Sequence, residues 1–125
     1  MESQVRNCVV LVVDDDDDIR DALSQVLEFA GFASILAVDG EDALAQLRSN
    51  PLPCIVLLDM MMPVVDGWEF RRRQLDDPAL AKVPVVVLSG AGRTAEIASE
   101  LGAADYLSKP VMRDRLLEVV RRYCA

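Results

Sequence analysis

The run Cys8-Val9-Val10-Leu11-Val12-Val13 ends abruptly in Asp14 and Asp15, and a second run, Ile55-Val56-Leu57-Leu58, ends in Asp59. Short apolar runs without polar alternation read as strands buried on both faces, the pattern of a parallel sheet covered by helices. Parallel strands finish on one edge, so the loops after two such neighbours bring the three acids together. Two like charges about 4 Å apart repel by on the order of 4 kcal/mol at an effective dielectric of about 20. A fold that gathers three carboxylates calls for a cation, and a hard, oxygen-seeking Mg²⁺ suits them.

Working outward, Val85 to Leu88 is a third buried run, Ser34 to Val38 a short strand, and Asp105 to Ser108 a brief fifth one. Between them the period changes to that of helices. Ile19, Ala22, Leu23, Val26, Leu27 and Ala30 mark the first helix, with Gly31 as its C-terminal cap. Ala43, Leu44 and Leu47 mark the second, entered at Asp39-Gly40 and stopped by Asn50-Pro51. Asp66-Gly67 opens a third helix that Pro78 ends, and a fourth runs from about Arg93 to Leu101, where Gly102 closes it. Leu116, Leu117, Val120 and Tyr123 outline a last helix after Pro110. The expected fold is α/β: five parallel strands in the doubly wound order 2-1-3-4-5, with the crevice at strands 1 and 3. The basic run Arg71 to Arg73 reads as a solvated helix face.

At 125 residues the chain reads as one domain, 1–125, with no length left for a second module. Thirteen basic against 21 acidic residues give a net charge of −8, which argues against unaided binding to nucleic acid or an anionic membrane. The longest apolar stretch is too short to span a bilayer, and MESQVRN lacks the layout of a signal peptide, so a cytoplasmic location is expected. Cys8, Cys54 and Cys124 read as unpaired thiols suited to a reducing compartment. The chain has no histidine, which excludes a histidine triad, a histidine metal ligand and a phosphohistidine of its own.

The segments LVVDDDDDIRDAL, VLLDMMMPVVDGWEF, VVVLSG and ADYLSKP, in this order and spacing, resemble the receiver domains of two-component response regulators from end to end. The resemblance implies a flavodoxin-like (βα)₅ receiver domain without an output domain, which is a phosphoacceptor and not a turnover enzyme. It implies Asp59 as phosphoacceptor, Asp14 and Asp15 as the acidic pair that helps hold Mg²⁺, and the backbone carbonyl of Met61 as a further metal ligand. Ser89 corresponds to the hydroxyl residue of strand 4, Lys109 to the lysine before Pro110, and Tyr106 to the switch aromatic of strand 5. The implied partners are a sensor histidine kinase or histidine phosphotransfer protein as donor and an unidentified effector protein as target, with no direct nucleic acid contact and no membrane insertion. Physically, phosphoryl transfer needs positioning and charge neutralisation more than covalent assistance, which an aspartate beside Mg²⁺ and Lys109 supplies. Serine stands at 89 where threonine is frequent, and Met61 leaves the dephosphorylation rate open.

Each residue also has an ordinary structural reading. Asp16, Asp17 and Asp18 suit the start of a helix. Lys109 alone reads as a solvated lysine, Ser89 as a loop-capping hydroxyl, and Tyr106 as either a static rim aromatic or a switch. Met60, Met61 and Met62 read as packing and loop residues, because a hard cation prefers oxygen. A dehalogenase-type hydrolase would place a second aspartate two residues after the nucleophile, where this chain has Met61. A calcium loop starting at Asp14 would need glycine at Ile19 and glutamate at Gln25. A receiver-like module that is never phosphorylated, and a receiver cut from a longer regulator or hybrid kinase, stay open as alternatives.

Overall fold

The computed structural model describes residues 8–124 except 50 and 91. The N-terminal segment MESQVRN and Asn50, part of the expected stop of the second helix, lie outside the described residues. Strands β1 (Val9–Val13), β2 (Ala33–Ala37), β3 (Ile55–Asp59), β4 (Val85–Ser89) and β5 (Asp105–Ser108) alternate with helices α1 (Asp17–Phe29), α2 (Gly40–Ser49), α3 (Gly67–Asp76), α4 (Thr94–Leu101) and α5 (Arg113–Tyr123). All strand pairs are parallel and the order is β2-β1-β3-β4-β5. Among the described residues no helix is long and apolar enough to cross a membrane.

The runs that read as buried on both faces divide by parity. Leu11, Val13, Val56, Leu58, Val85 and Val87 face a core closed by Ala43, Leu44 and Leu47 of α2, Phe70 of α3, and Ile97 and Ala98 of α4. Val10, Val12, Ile55, Leu57, Val86 and Leu88 face the other core, closed by Leu23 and Leu27 of α1 and by Leu116, Leu117, Val119 and Val120 of α5. The period of two along each strand thus feeds two separate cores, which fixes the register and the level at which every strand ends.

Helix ends follow local chemistry. The Asp16 carboxylate accepts the Asp18 and Ile19 N–H groups at 2.9 and 3.3 Å, and Asp17 and Asp18 occupy the first turn. Gly31, at φ 95°, turns the chain out of α1, with its N–H on the Glu28 carbonyl and the Phe32 N–H on that of Leu27. The second strand runs one residue earlier than the sequence suggested. Val38 leaves the ladder because its N–H is held by the Asp42 carboxylate at 3.0 Å.

Arg71 corrects the expectation of a solvated basic face. Arg72 is exposed, but Arg71 is buried: its Nε donates to the Leu101 carbonyl at 3.0 Å, Nη2 to Gly102 at 2.9 Å and Nη1 to Gln74 Oε1 at 2.8 Å. The carbonyls at the end of α4 lack intrahelical partners, and the guanidinium fork satisfies them from the neighbouring helix. Gln74 in turn donates to the Leu80 and Val83 carbonyls, both at 3.0 Å, tying the following loop to the same network. Arg71→Met is expected to lower unfolding free energy by about 2–4 kcal/mol, because it leaves buried acceptors without donors. Arg72→Met, which loses only exposed ion pairs, should cost less than about 1 kcal/mol. Equal losses in urea denaturation would show that the buried fork has no such role.

Candidate functional site

The site is built where three strands and one loop reach the carboxyl edge of the sheet. Asp14 follows β1 and extends its pairing, with its N–H on the Ala37 carbonyl at 3.2 Å. Its carboxylate is wholly buried, accepting the Asp16 N–H on Oδ1 at 2.9 Å and Lys109 Nζ on Oδ2 at 2.9 Å. Arg20, from the first turns of α1, donates Nη1 to the Asp14 carbonyl at 2.6 Å and pairs with Asp17, so that it braces the turn from behind. Asp15 is exposed at the mouth. Asp59, the last residue of β3, is 4% exposed, and its Oδ1 accepts Lys109 Nζ at 3.3 Å and the Met61 N–H at 3.4 Å.

Asp14, Asp15 and Asp59 each offer an oxygen within 4.8 Å of the other two. They line an open depression of about 420 Å³ together with Asp16, Ile19, Met61, Ser89, Gly90 and Lys109. Ser89, the buried last residue of β4, accepts the Lys109 N–H on its carbonyl at 2.9 Å and the Thr94 hydroxyl at 3.3 Å. The loop after Asp59 is drawn in tightly: the Gly67 N–H donates to the Met60 carbonyl at 3.2 Å, and a Cβ at Gly67 would lie 2.6 Å from Met60 Sδ. Met60 and Met62 are buried as packing residues, whereas the Met61 side chain is 77% exposed.

Tyr106 stands apart from this depression. It lies on β5, partly exposed, beside a different surface hollow shared with Met112 and Arg115. Thus the structure gathers Asp14, Asp15, Asp59, Met61, Ser89 and Lys109, and places Tyr106 on the adjoining face. Sequence reasoning missed Arg20 and Thr94. Arg20 carries no signal, being one polar residue on a helix, while Thr94 was visible only as a hydroxyl near the start of α4.

Three carboxylates face one ammonium here. Burial, and next the charge of Asp14, push the Asp59 carboxyl above its ordinary range, while Lys109 and the Met61 N–H pull it partly back. Burial works against the charge on Lys109, but hydrogen bonding to Asp14 and the charges of Asp59 and Asp14 outweigh it and hold the lysine above its usual range. The converging donor set consists of carboxylate oxygens, with no imidazole or thiolate among them, and so fits a hard divalent cation.

The fold agrees with that of known proteins. The chain belongs to the response regulator receiver domain family, whose model matches residues 10–121. It is 40% identical over 120 residues to the transcriptional regulatory protein CseB of Streptomyces avermitilis, covering 91% of this chain and 49% of the relative. It is also 36% identical over 117 residues to a 14.6 kDa protein of Leptolyngbya boryana, covering 92% of this chain and 88% of that protein. The chain therefore spans about half the length of CseB. Among solved structures, a response regulator receiver protein from Pseudomonas putida superposes with a TM-score of 0.84 at 30% identity, covering 92% of this chain and 96% of its own. Chemotaxis protein CheY4 of Vibrio cholerae gives 0.82 at 28% identity, covering 93% and 98%. Receiver domains of this family are signalling modules, and the chain carries one.

A carboxyl with a folded pKa above its unfolded value binds its proton more tightly when folded, so its contribution to stability is lost as pH rises from the ordinary 3.8 through the raised value. In metal-free solution Asp59→Asn should therefore be more stable than the parent at neutral pH, with the gap closing as the pH falls to the ordinary carboxylate range. Urea unfolding at the two pH values with a chelator present checks this. A variant less stable than the parent at neutral pH, or a gap that widens on acidification, would contradict the electrostatic assignment.

Proposed function

We propose that the chain is a phosphoacceptor receiver in a two-component phosphorelay, taking a phosphoryl group from a phosphohistidine of a sensor histidine kinase or histidine phosphotransfer protein onto Asp59. The observation that carries this reading is the convergence of Asp14, Asp15 and Asp59 oxygens within 4.8 Å with Lys109 Nζ 3.3 Å from Asp59. Asp14, Asp15, Asp59 and the Met61 carbonyl would hold Mg²⁺, which supplies neutralisation of the phosphoryl oxygens. An Asp59 carboxylate oxygen attacks phosphorus in line, the P–O bond forms as the P–N bond breaks, and the electron pair leaves with the donor imidazole. Lys109 stays within reach of a phosphoryl oxygen, and the Ser89 hydroxyl donates to another. Incubation with acetyl phosphate and Mg²⁺ should add one acid-stable, hydroxylamine-labile phosphoryl group. Label at the parental level in Asp59→Asn would sink the proposal. Millimolar Mg²⁺ should also raise Tm by linkage, an effect that Asp15→Asn largely cancels.

The output face would be α4, β5 and α5. Ser89 is coupled to that face through its carbonyl, which accepts from Thr94, the first residue of α4, and from the Lys109 N–H after β5. Arg115 and Arg122 both pair with Asp105 of β5, at 3.2 and 2.8 Å, so α5 follows the strand. Movement of Ser89 toward the phosphoryl group would open room for the exposed Tyr106 ring to turn inward and would alter affinity for a protein partner by roughly 1–3 kcal/mol. With beryllofluoride as phosphoryl mimic, amide shifts should move at Ser89, Tyr106 and from Ala91, itself outside the described residues, to Leu101, and much less in α2. Changes confined to the loops around Asp14, Asp59 and Lys109 would send the signal through another surface.

A further inference from the structure

The sheet has a second cluster at its opposite edge. Cys8 immediately precedes β1, Cys54 precedes β3 with its N–H on the Val9 carbonyl at 2.9 Å, and Cys124 follows α5. Residues 46 and 116 positions apart in sequence, counted from Cys8, thus meet in space: the three sulfurs all lie within 4.8 Å of one another. All three thiols are free, Cys8 and Cys124 are buried at 8% and 6% exposure, and Cys54 is half-buried. A three-coordinate centre with bonds of about 2.3 Å, the usual length to a thiolate, spaces its sulfurs by about 4 Å or less, within reach of this triangle after small side-chain rotations.

Charge decides which centre suits it. Three thiolates around a monovalent ion leave two net negative charges, and around a divalent ion one, in a pocket where Cys8 Sγ already donates to the Cys124 carbonyl at 2.9 Å beside the negative end of α5. A trivalent thiophilic centre leaves none. Among the described residues no carboxylate joins the sulfurs, and the chain has no histidine, so the described residues supply three ligands where a closed zinc site uses four.

We propose that Cys8, Cys54 and Cys124 form a three-sulfur binding site for a trivalent metalloid of the arsenite class. Arsenous acid exchanges its three hydroxides for the three sulfurs: three As–O bonds break, three As–S bonds form, and each thiol proton leaves with a hydroxide as water. No electron is transferred and no net charge is buried. The bound centre would join the start of β1, the entry to β3 and the end of α5, at the edge of the sheet away from the acidic crevice.

The test is titration of the full chain, reduced and under anaerobic conditions, with arsenite. One arsenic per chain should bind, X-ray absorption should report three sulfur neighbours, and Tm should rise. Cys54→Ser, at the least buried position, should keep the parental circular dichroism and bind at least about tenfold more weakly with two sulfur neighbours, and Cys8→Ser/Cys54→Ser should not bind. Asp59→Asn should bind as the parent does, which separates this site from the phosphoacceptor reading. Absence of binding, two sulfur neighbours in the parent, parental affinity in Cys54→Ser, or Cu(I) or Zn(II) held by three sulfurs while arsenite is refused, would each overturn the proposal.

Discussion

The constraint on which the rest depends is the gathering of three carboxylates and one ammonium at the edge of a sheet buried on both faces. Asp14 and Asp59 are held near each other, because Asp14 directly follows β1 and Asp59 ends β3, and those paired central strands are locked in register by two cores. Their repulsion is held in place by packing and partly offset by Lys109, which bonds both. The result is a site already shaped for positive charge. Its electrostatic strain is stored in the raised affinity of Asp59 for a proton.

The surrounding structure serves that geometry. Arg20 and the Asp16 cap hold the β1–α1 turn, Gly67 draws the loop after Asp59 inward, and the Ser89 carbonyl collects donors from both α4 and the β5–α5 loop. Ser89 is therefore tied by hydrogen bonds to both of these elements. Arg71 anchors the far end of α4 through its last carbonyls.

The two edges of the sheet offer opposite chemistries. Hard carboxylate oxygens, open to solvent through Asp15, converge at the carboxyl edge, and soft, largely buried thiols converge at the amino edge. Each set disfavours the other's ligand, so the two edges do not compete for one ion.

The sequence by itself determined the layer plan. Unbroken apolar runs required a covered parallel sheet, glycine and proline marked the helix ends, and the acids after the first and third runs announced the crevice. The placing of Asp14, Asp15 and Asp59 at one edge was legible because strand ends are local events that a short segment spells out, whereas Ser89 and Lys109 stood out only through the resemblance to receiver domains. Tertiary structure alone decided what depends on distant partners. Arg71 looked like its exposed neighbour Arg72 until the end of α4, some thirty residues on, supplied carbonyls that needed donors. Arg20 and Thr94 gained their positions from backbone oxygens that no residue type encodes. The three cysteines, scattered over nearly the whole chain, became a cluster because parallel strands begin on a common edge, which brings Cys8 to Cys54, and because α5 ends at that same edge with Cys124.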